Sequence, residues 1–382
     1  SNINQAIGKE EPDTLYDLGA LAQMDLEFDM CQAQHAAFIF AYGLGSISTA
    51  AWGTGYKHTI TPISGDVDVA RSNPSFTMAM RYGKQHTARY ASAFVDSFKI
   101  SMKKDSWLTL SAVLKATGKR STIMTSEDVT AAYNASSLTL GANNAVDGSD
   151  ATTRLDAVHQ VKVRVPSTNE WVDVVATSAS NATPAVIAIT PPGNNAGNTT
   201  YRVLYNQKIT GTYAWATLPA RVSEPPLRIS DFVVKVGAKW DGSAITGGHS
   251  IGTDIKEFTW DFANGINCEF VPGGTTGYAS RALREGRIQK ITLDRDFRDY
   301  IMARYLDNNE DFVIQAIATG TEFETGKAYF INIVFPQVRV MAVPVKEDGK
   351  RLGETGDLIV MEDSAYGSVW TQVGNQVATY GA

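Results

Sequence analysis

Strict alternation over two consecutive stretches constrains this chain more than any other feature. Phe94, Phe98, Ile100 and Met102 read as one face of an extended segment, Lys103-Lys104-Asp105-Ser106 supplies a turn, and Leu108, Leu110, Ala112 and Leu114 resume the pattern. A period of two marks a strand with one face in a core, so residues 94–114 predict a long β-hairpin. The opposite face carries Asp96, Lys99, Ser101, Thr109 and Ser111, a polar surface that an internal core does not explain.

The pattern recurs along the chain. Met24, Leu26, Phe28 and Met30 alternate with Asp25, Glu27 and Asp29, which predicts a half-buried strand with an acidic face. Phe258, Trp260 and Phe262 precede Asn264-Gly265, and Ile266, Cys268 and Phe270 follow it. Asn-Gly is the strongest short hairpin signal, so a second hairpin is expected over 257–270. Residues 312–319 and 329–341 read as further strands. Gln32 to Tyr42 fits a short helix stopped at Gly43-Leu44-Gly45. A second helix is expected after an Asp294 cap, with Phe297, Tyr300, Ile301, Met302 and Tyr305 as its apolar stripe. The Gly-, Ser- and Thr-rich segment Gly45 to Asn73, with Trp52, Tyr56 and His58, reads as a long loop.

At 382 residues the chain is long for one sandwich and suits two domains. Near Ser126 the composition shifts toward Ala, Ser, Thr, Asn and Gly, with short strand-like runs at 161–165, 171–175, 186–189 and 201–205. This predicts an inserted immunoglobulin-like β-sandwich over 126–225, closed by Pro225-Pro226, between two parts of a larger domain at 1–125 and 226–382. The fold class expected is mainly β.

Signals for chemistry are few. The net charge of -6 argues against nucleic acid or an acidic leaflet held by bulk charge. Cys31 and Cys268 lie far apart without metal-ligand spacing, and the histidines His35, His58, His86, His159 and His249 lack zinc-site spacing. Gly118-Lys119-Arg120-Ser121-Thr122 resembles the end of a phosphate-binding loop, but Val113 stands where its first glycine belongs. Asp147-Gly148-Ser149-Asp150 lacks the Glu that a calcium loop carries at the place of Val158. No nucleophile elbow occurs. The expectation is a non-enzymatic protein without cofactor or metal, with no signal peptide and no membrane insertion, assembled in a cytosol.

Three stretches carry a family resemblance: EFTWDFANGINCEF (Glu257 to Phe270), GYASRALREGRIQKITLDRDFRDYI (Gly277 to Ile301) and GKRLGETGDLIVMEDSAYGSV (Gly349 to Val369). They resemble the tail tube proteins of long-tailed bacteriophages. GYKHTITP (Gly55 to Pro62) and the hairpin segment Phe94 to Lys119 are similar to that family's loop and long hairpin. The resemblance implies a tail-tube-type β-sandwich or barrel with flanking helices, six copies to a ring, and rings stacked head to tail into a virion tube, built in the host bacterial cytoplasm. The implied partners are further copies of the chain, tape measure protein and genomic DNA in the lumen, and the tail terminator and baseplate or tip proteins.

Four strands per subunit would close a barrel of about 24 strands, with a backbone diameter on the order of 45 Å, wide enough for duplex DNA. The lumen-facing residues expected are Asp96, Lys99, Ser101, Thr109, Ser111, Asp261 and Glu269. Asp96, Asp261 and Glu269 would supply a field that repels phosphates, and Lys99 and Lys115 would count against it. Ring-to-ring contacts are expected from Trp52, Tyr56 and His58 and from Tyr366 and Trp370 in the segment 366–382, so that deletion beyond Val373 would block stacking. The inserted domain would face outward, bind glycans weakly or serve as bulk, and suit a non-contractile tail. The rival expectation is a monomeric, adhesin-like surface-binding module that uses the insert.

Overall fold

A computed structural model of the chain describes residues 2–3, 15–16, 20–63, 73–82, 86–193, 197–208, 215–217, 223–228, 232–251, 254–271, 277–348 and 351–381. The expectations for 64–72, Gly349 and Ala382 lie outside the described residues, as does the side chain of His249. The architecture is mainly β. The chain divides into one compact unit of Ser1–Phe76, Ala91–Lys119 and Val222–Ala382 and a second of Thr77–Tyr90 and Arg120–Arg221.

Apart from six short strands of two to four residues, the strands of the first unit among the described residues are β1 (Ala22–Phe28), β2 (Gly45–Trp52), β3 (Gly55–Pro62), β4 (His86–Lys103, whose first residues belong to the second unit), β5 (Leu108–Ala116), β6 (Phe232–Gly237), β7 (Ile255–Ala263), β8 (Ile266–Glu269), β9 (Arg281–Arg284), β10 (Ile288–Asp296), β11 (Phe312–Glu324), β12 (Lys327–Ala342), β13 (Arg351–Val360) and β14 (Trp370–Asn375). The main sheet runs β6-β11-β12-β13-β10-β7-β4-β5-β1. β12 is a fork. One edge pairs with β11, while the other pairs with β14 through Phe330 to Val334 and with β13 from Val338 onward. β14 continues the second branch into β3 and β2.

The helix Ala33–Leu44 is apolar on nearly every side, and a helix of that kind must be covered all round. It meets that need between the branches: Phe40 packs on Phe98 of β4 and Trp260 of β7, and other helix residues pack on β3 and β14. The helix stops where the sequence expects it. Gly45 takes a φ of 98° and donates its N–H to Ala41 O, a left-handed cap that favours glycine.

Several expectations are corrected here. The hairpin β4–β5 forms around a turn with Asp105 at a φ of 58°. Phe94, however, does not share the face of Phe98, Ile100 and Met102, because a bulge between Val95 and Ser97 shifts the phase and buries Val95 instead. Asn264-Gly265 is not a hairpin turn. β7 pairs with β4 and β10, whereas β8 leaves to pair with β9. The buried Asn264 amide donates to Gly43 O and Val95 O, which makes the pair a corner between two sheets. Asp294 lies inside β10 and caps nothing; the helix runs Ile301–Asp307, and the Asp299 carboxylate accepts from the Ile301 N–H. The predicted loop from Gly45 is a tight hairpin, β2–β3.

In the second unit one antiparallel sheet orders the strands Met124–Ala132, Asn198–Asn206, Val158–Arg164 and Trp171–Val174. A three-stranded sheet orders Ser137–Thr139, Val186–Ile189 and Ala176–Ala179. Their inward residues, among them Val161, Val163, Tyr201 and Val203 from one sheet and Leu138, Ile187 and Ile189 from the other, form a shared core. Asp150 caps the short helix Ala151–Asp156 by accepting from the Thr153 N–H. The unit also includes Thr77–Tyr90, with Ala88 paired to Thr122, so it starts before residue 126.

Candidate assembly surface

The polar side of the main sheet is ordered by register. One cross-strand row reads Glu27 (β1), Ser111 (β5), Lys99 (β4), Asp261 (β7), Lys290 (β10) and Ile359 (β13). A flanking row holds Asp25, Val113, Ser97, Ala263 and Ile288, and the other holds Thr109, Ser101, Thr259, Thr292 and Asp357. Strands whose other face fills a core must turn alternate residues outward, and register sets these beside one another. The surface includes an open concavity of about 410 Å³ lined by Glu27, Lys99, Ser111, Asp261 and Lys290.

The charges on this face are largely matched. Lys99 Nζ lies 3.8 Å from Asp261 Oδ1 and Lys290 Nζ lies 3.1 Å from Asp357 Oδ1. Both pairs are exposed and each contributes about 0.2–1 kcal/mol. Asp25 and Glu27 sit at the margin on β1, the last strand of the sheet. Among the described residues β1 pairs only with β5. Its inward side chains Met24, Leu26 and Phe28 are only half-buried. Open edges invite pairing, and outward carboxylates limit which partner is accepted.

Lys99, Ser101, Thr109, Ser111 and Asp261 are therefore brought to one face. Asp96 and Glu269 are not. Asp96 occupies the β4 bulge, where its carboxylate accepts from the Ile266 N–H at 2.6 Å and pairs with Lys115 at 3.0 Å, tying β8 to the sheet. Lys115 is held in the same knot through Ile266 O. Glu269 lies on the β8–β9 ribbon and pairs with Arg281. Asp25 and Glu27, read from the sequence as the acidic face of a strand but not assigned to this surface, and Lys290 and Asp357, which sequence reasoning missed, complete the rows. Their signal was the alternation within 22–28, 288–296 and 351–360, which acquires meaning only with the register.

The residues expected between rings are engaged within the subunit. Trp52 packs edge-on to Phe323 and Phe330, with Lys57 Nζ 4.5 Å from its ring centre. Tyr56 is half-buried on β3. Tyr366 and Trp370 pack on a small core around Trp240. His58 is fully buried: Nδ1 lies 2.9 Å from Thr49 Oγ1, and Nε2 lies 3.1 Å from Asn375 Oδ1 and 3.0 Å from Val377 O.

Burial holds the His58 imidazole below its ordinary pKa of 6.5, outweighing its hydrogen bonds to Asn375 and Val377. The fold thus favours the neutral ring, and this contribution is present above that value and lost as pH falls below it. Acidification from about pH 7.5 to about pH 5 is expected to loosen residues 376–381, at about 1.4 kcal/mol per unit of depression. Carboxypeptidase digestion against pH checks this; a pH response that persists in His58→Gln would refute it.

The same contacts alter the expectation for deletion beyond Val373. The removed segment contains Asn375, which is fully buried, and Tyr380, whose carbonyl accepts from the Tyr42 hydroxyl. Truncation there is expected to destabilise the subunit itself, lowering its midpoint of thermal unfolding. An unchanged midpoint with lost stacking would restore the original expectation.

No known family model matches the chain, and no curated protein matches it.

Proposed function

We propose that the chain is a structural subunit which assembles through its β-sheet surfaces into a tube, as the tail tube proteins of long-tailed phages do. The observation that carries this reading is the ordered polar face of the main sheet together with the open edge β1. A face whose two lysines are each paired with a carboxylate, and which holds no catalytic constellation among the described residues, serves contact with water and a passing polymer better than chemistry. In this reading six copies form a ring, that face lines the lumen, and Asp25, Glu27, Asp261 and Asp357 give it an acidic excess over Lys99 and Lys290. DNA phosphates then slide past without being held. The second unit, a two-sheet sandwich, is the immunoglobulin-like domain on the outside of the tube.

Negative-stain electron microscopy of the purified protein at rising concentration tests the reading. Rings and tubes of uniform width with a stain-filled channel are expected. A protein that remains monomeric throughout, alone and with tail initiation proteins, would overturn it in favour of the surface-binding module.

A further inference from the structure

Two arginines of the first unit, Arg284 buried and Arg287 half-buried, hold N–H groups out of solvent with no partner, and no carboxylate among the described residues pairs with either. Arg284, at the end of β9, is 8% exposed, and its Nη1 has no hydrogen-bond partner. Arg287 follows three residues later. Its Nη2 donates to Ile63 O, while its Nε is buried and unpartnered. Among the described residues no carboxylate lies within ion-pair distance of either. Glu362 lines the same cavity as Arg287 but is exposed to solvent. That cavity has a volume of about 340 Å³ and opens between Pro62, Ile63 and the turn that carries Tyr366 and Ser368.

Burial pushes the Arg287 guanidinium down to about 10, the Arg284 charge adds to this, and Glu362 opposes it. Two desolvated like charges are costly unless an anion completes them. A planar fork with free N–H groups has the geometry that accepts an oxyanion. From the cavity that Arg287 lines and its unsatisfied N–H we infer an oxyanion-binding site at Arg287, supported by the neighbouring Arg284 charge, that takes a carboxylate or a similar small anion. The residues that line this cavity differ from those of the concavity on the polar sheet face, and the site stands whether or not the chain forms tubes.

Inorganic sulfate is the probe. Thermal unfolding of the full chain is followed in sodium sulfate and in sodium chloride at matched ionic strength, for the parent and for Arg287→Met and Arg284→Met. The parent is expected to gain stability saturably with sulfate, and each substitution to weaken the apparent affinity by more than about tenfold, as loss of a charge-assisted hydrogen bond does. Equal responses in parent and variants would mean a general salt effect and would overturn the site. Should the variants fail to fold, the Arg287 Nε–H resonance of the parent decides: a saturable shift with sulfate supports the site, and no shift refutes it. Sedimentation separates the sources of the natural anion. Sulfate that disperses associated chains assigns it to a carboxylate of a second copy; sulfate that binds without changing association assigns it to a free anion.

Discussion

Arg295→Ala is expected to cost the first unit about 3–5 kcal/mol, because it strands a buried carboxylate. Arg295 on β10 and Glu354 on β13 face each other across the strand pair, both side chains 1% exposed, with Arg295 Nε donating to Glu354 Oε1. Arg295 Nη2 also donates to Asp299 Oδ1 at 2.8 Å, just ahead of the helix Ile301–Asp307. Burial already pushes the Glu354 carboxyl up, and Arg295 is the group that opposes it. Urea unfolding measures the loss. The double change Arg295→Met with Glu354→Leu should recover most of it, since two apolar side chains leave no charge behind. A double variant as unstable as Arg295→Ala would show that packing, not the stranded charge, sets the cost.

Trp260→Ala should be comparably damaging, by about 3–5 kcal/mol. The Trp260 ring is fully buried and meets Phe98 at 5.0 Å, Phe335 at 5.1 Å and Phe40 at 5.5 Å between ring centres. Those partners come from β4, from the fork of β12 and from the helix Ala33–Leu44, so one cavity loosens three elements. Trp260→Phe keeps most of the volume and should cost markedly less. Equal losses for Phe and Ala, read as shifts in the urea midpoint at unchanged slope, would contradict this account.

The alternation that opens the chain's reading was informative because each strand is half-buried. Leu108, Leu110, Ala112 and Leu114 all point into the core as the pattern requires. It misplaced Phe94 because a period-two reading assumes an unbroken pleat, and the bulge at Asp96 is held by a tertiary contact to Ile266. Asn264-Gly265 misled for the same reason: a strong local turn signal yielded to distant carbonyl groups of Gly43 and Val95. Trp52, Tyr56 and His58 sit among Gly, Ser and Thr and so read as surface, although the hairpin β2–β3 buries His58 under Asn375 and Tyr380. Polar rows such as Lys99, Asp261 and Lys290 require three strands in register, and the order of those strands is not written in any of them. The buried Arg284 and half-buried Arg287 are hidden still more thoroughly, since nothing in the run Arg284-Glu285-Gly286-Arg287 separates them from surface charge.

The fork in β12 has a consequence for synthesis. Among the described residues β3 joins the rest of the sheet only through β14, as in the hydrogen bond from Thr371 to Ile60, which joins residues 311 positions apart. At ribosomal rates the gap between making one and making the other is on the order of 15–60 s. Throughout that interval the β2–β3 hairpin waits with a bare edge, exposed to any neighbouring nascent chain. Polysomes that space their nascent chains widely would spare it such encounters, so slow initiation of translation should raise the yield of folded subunit more than slow elongation does.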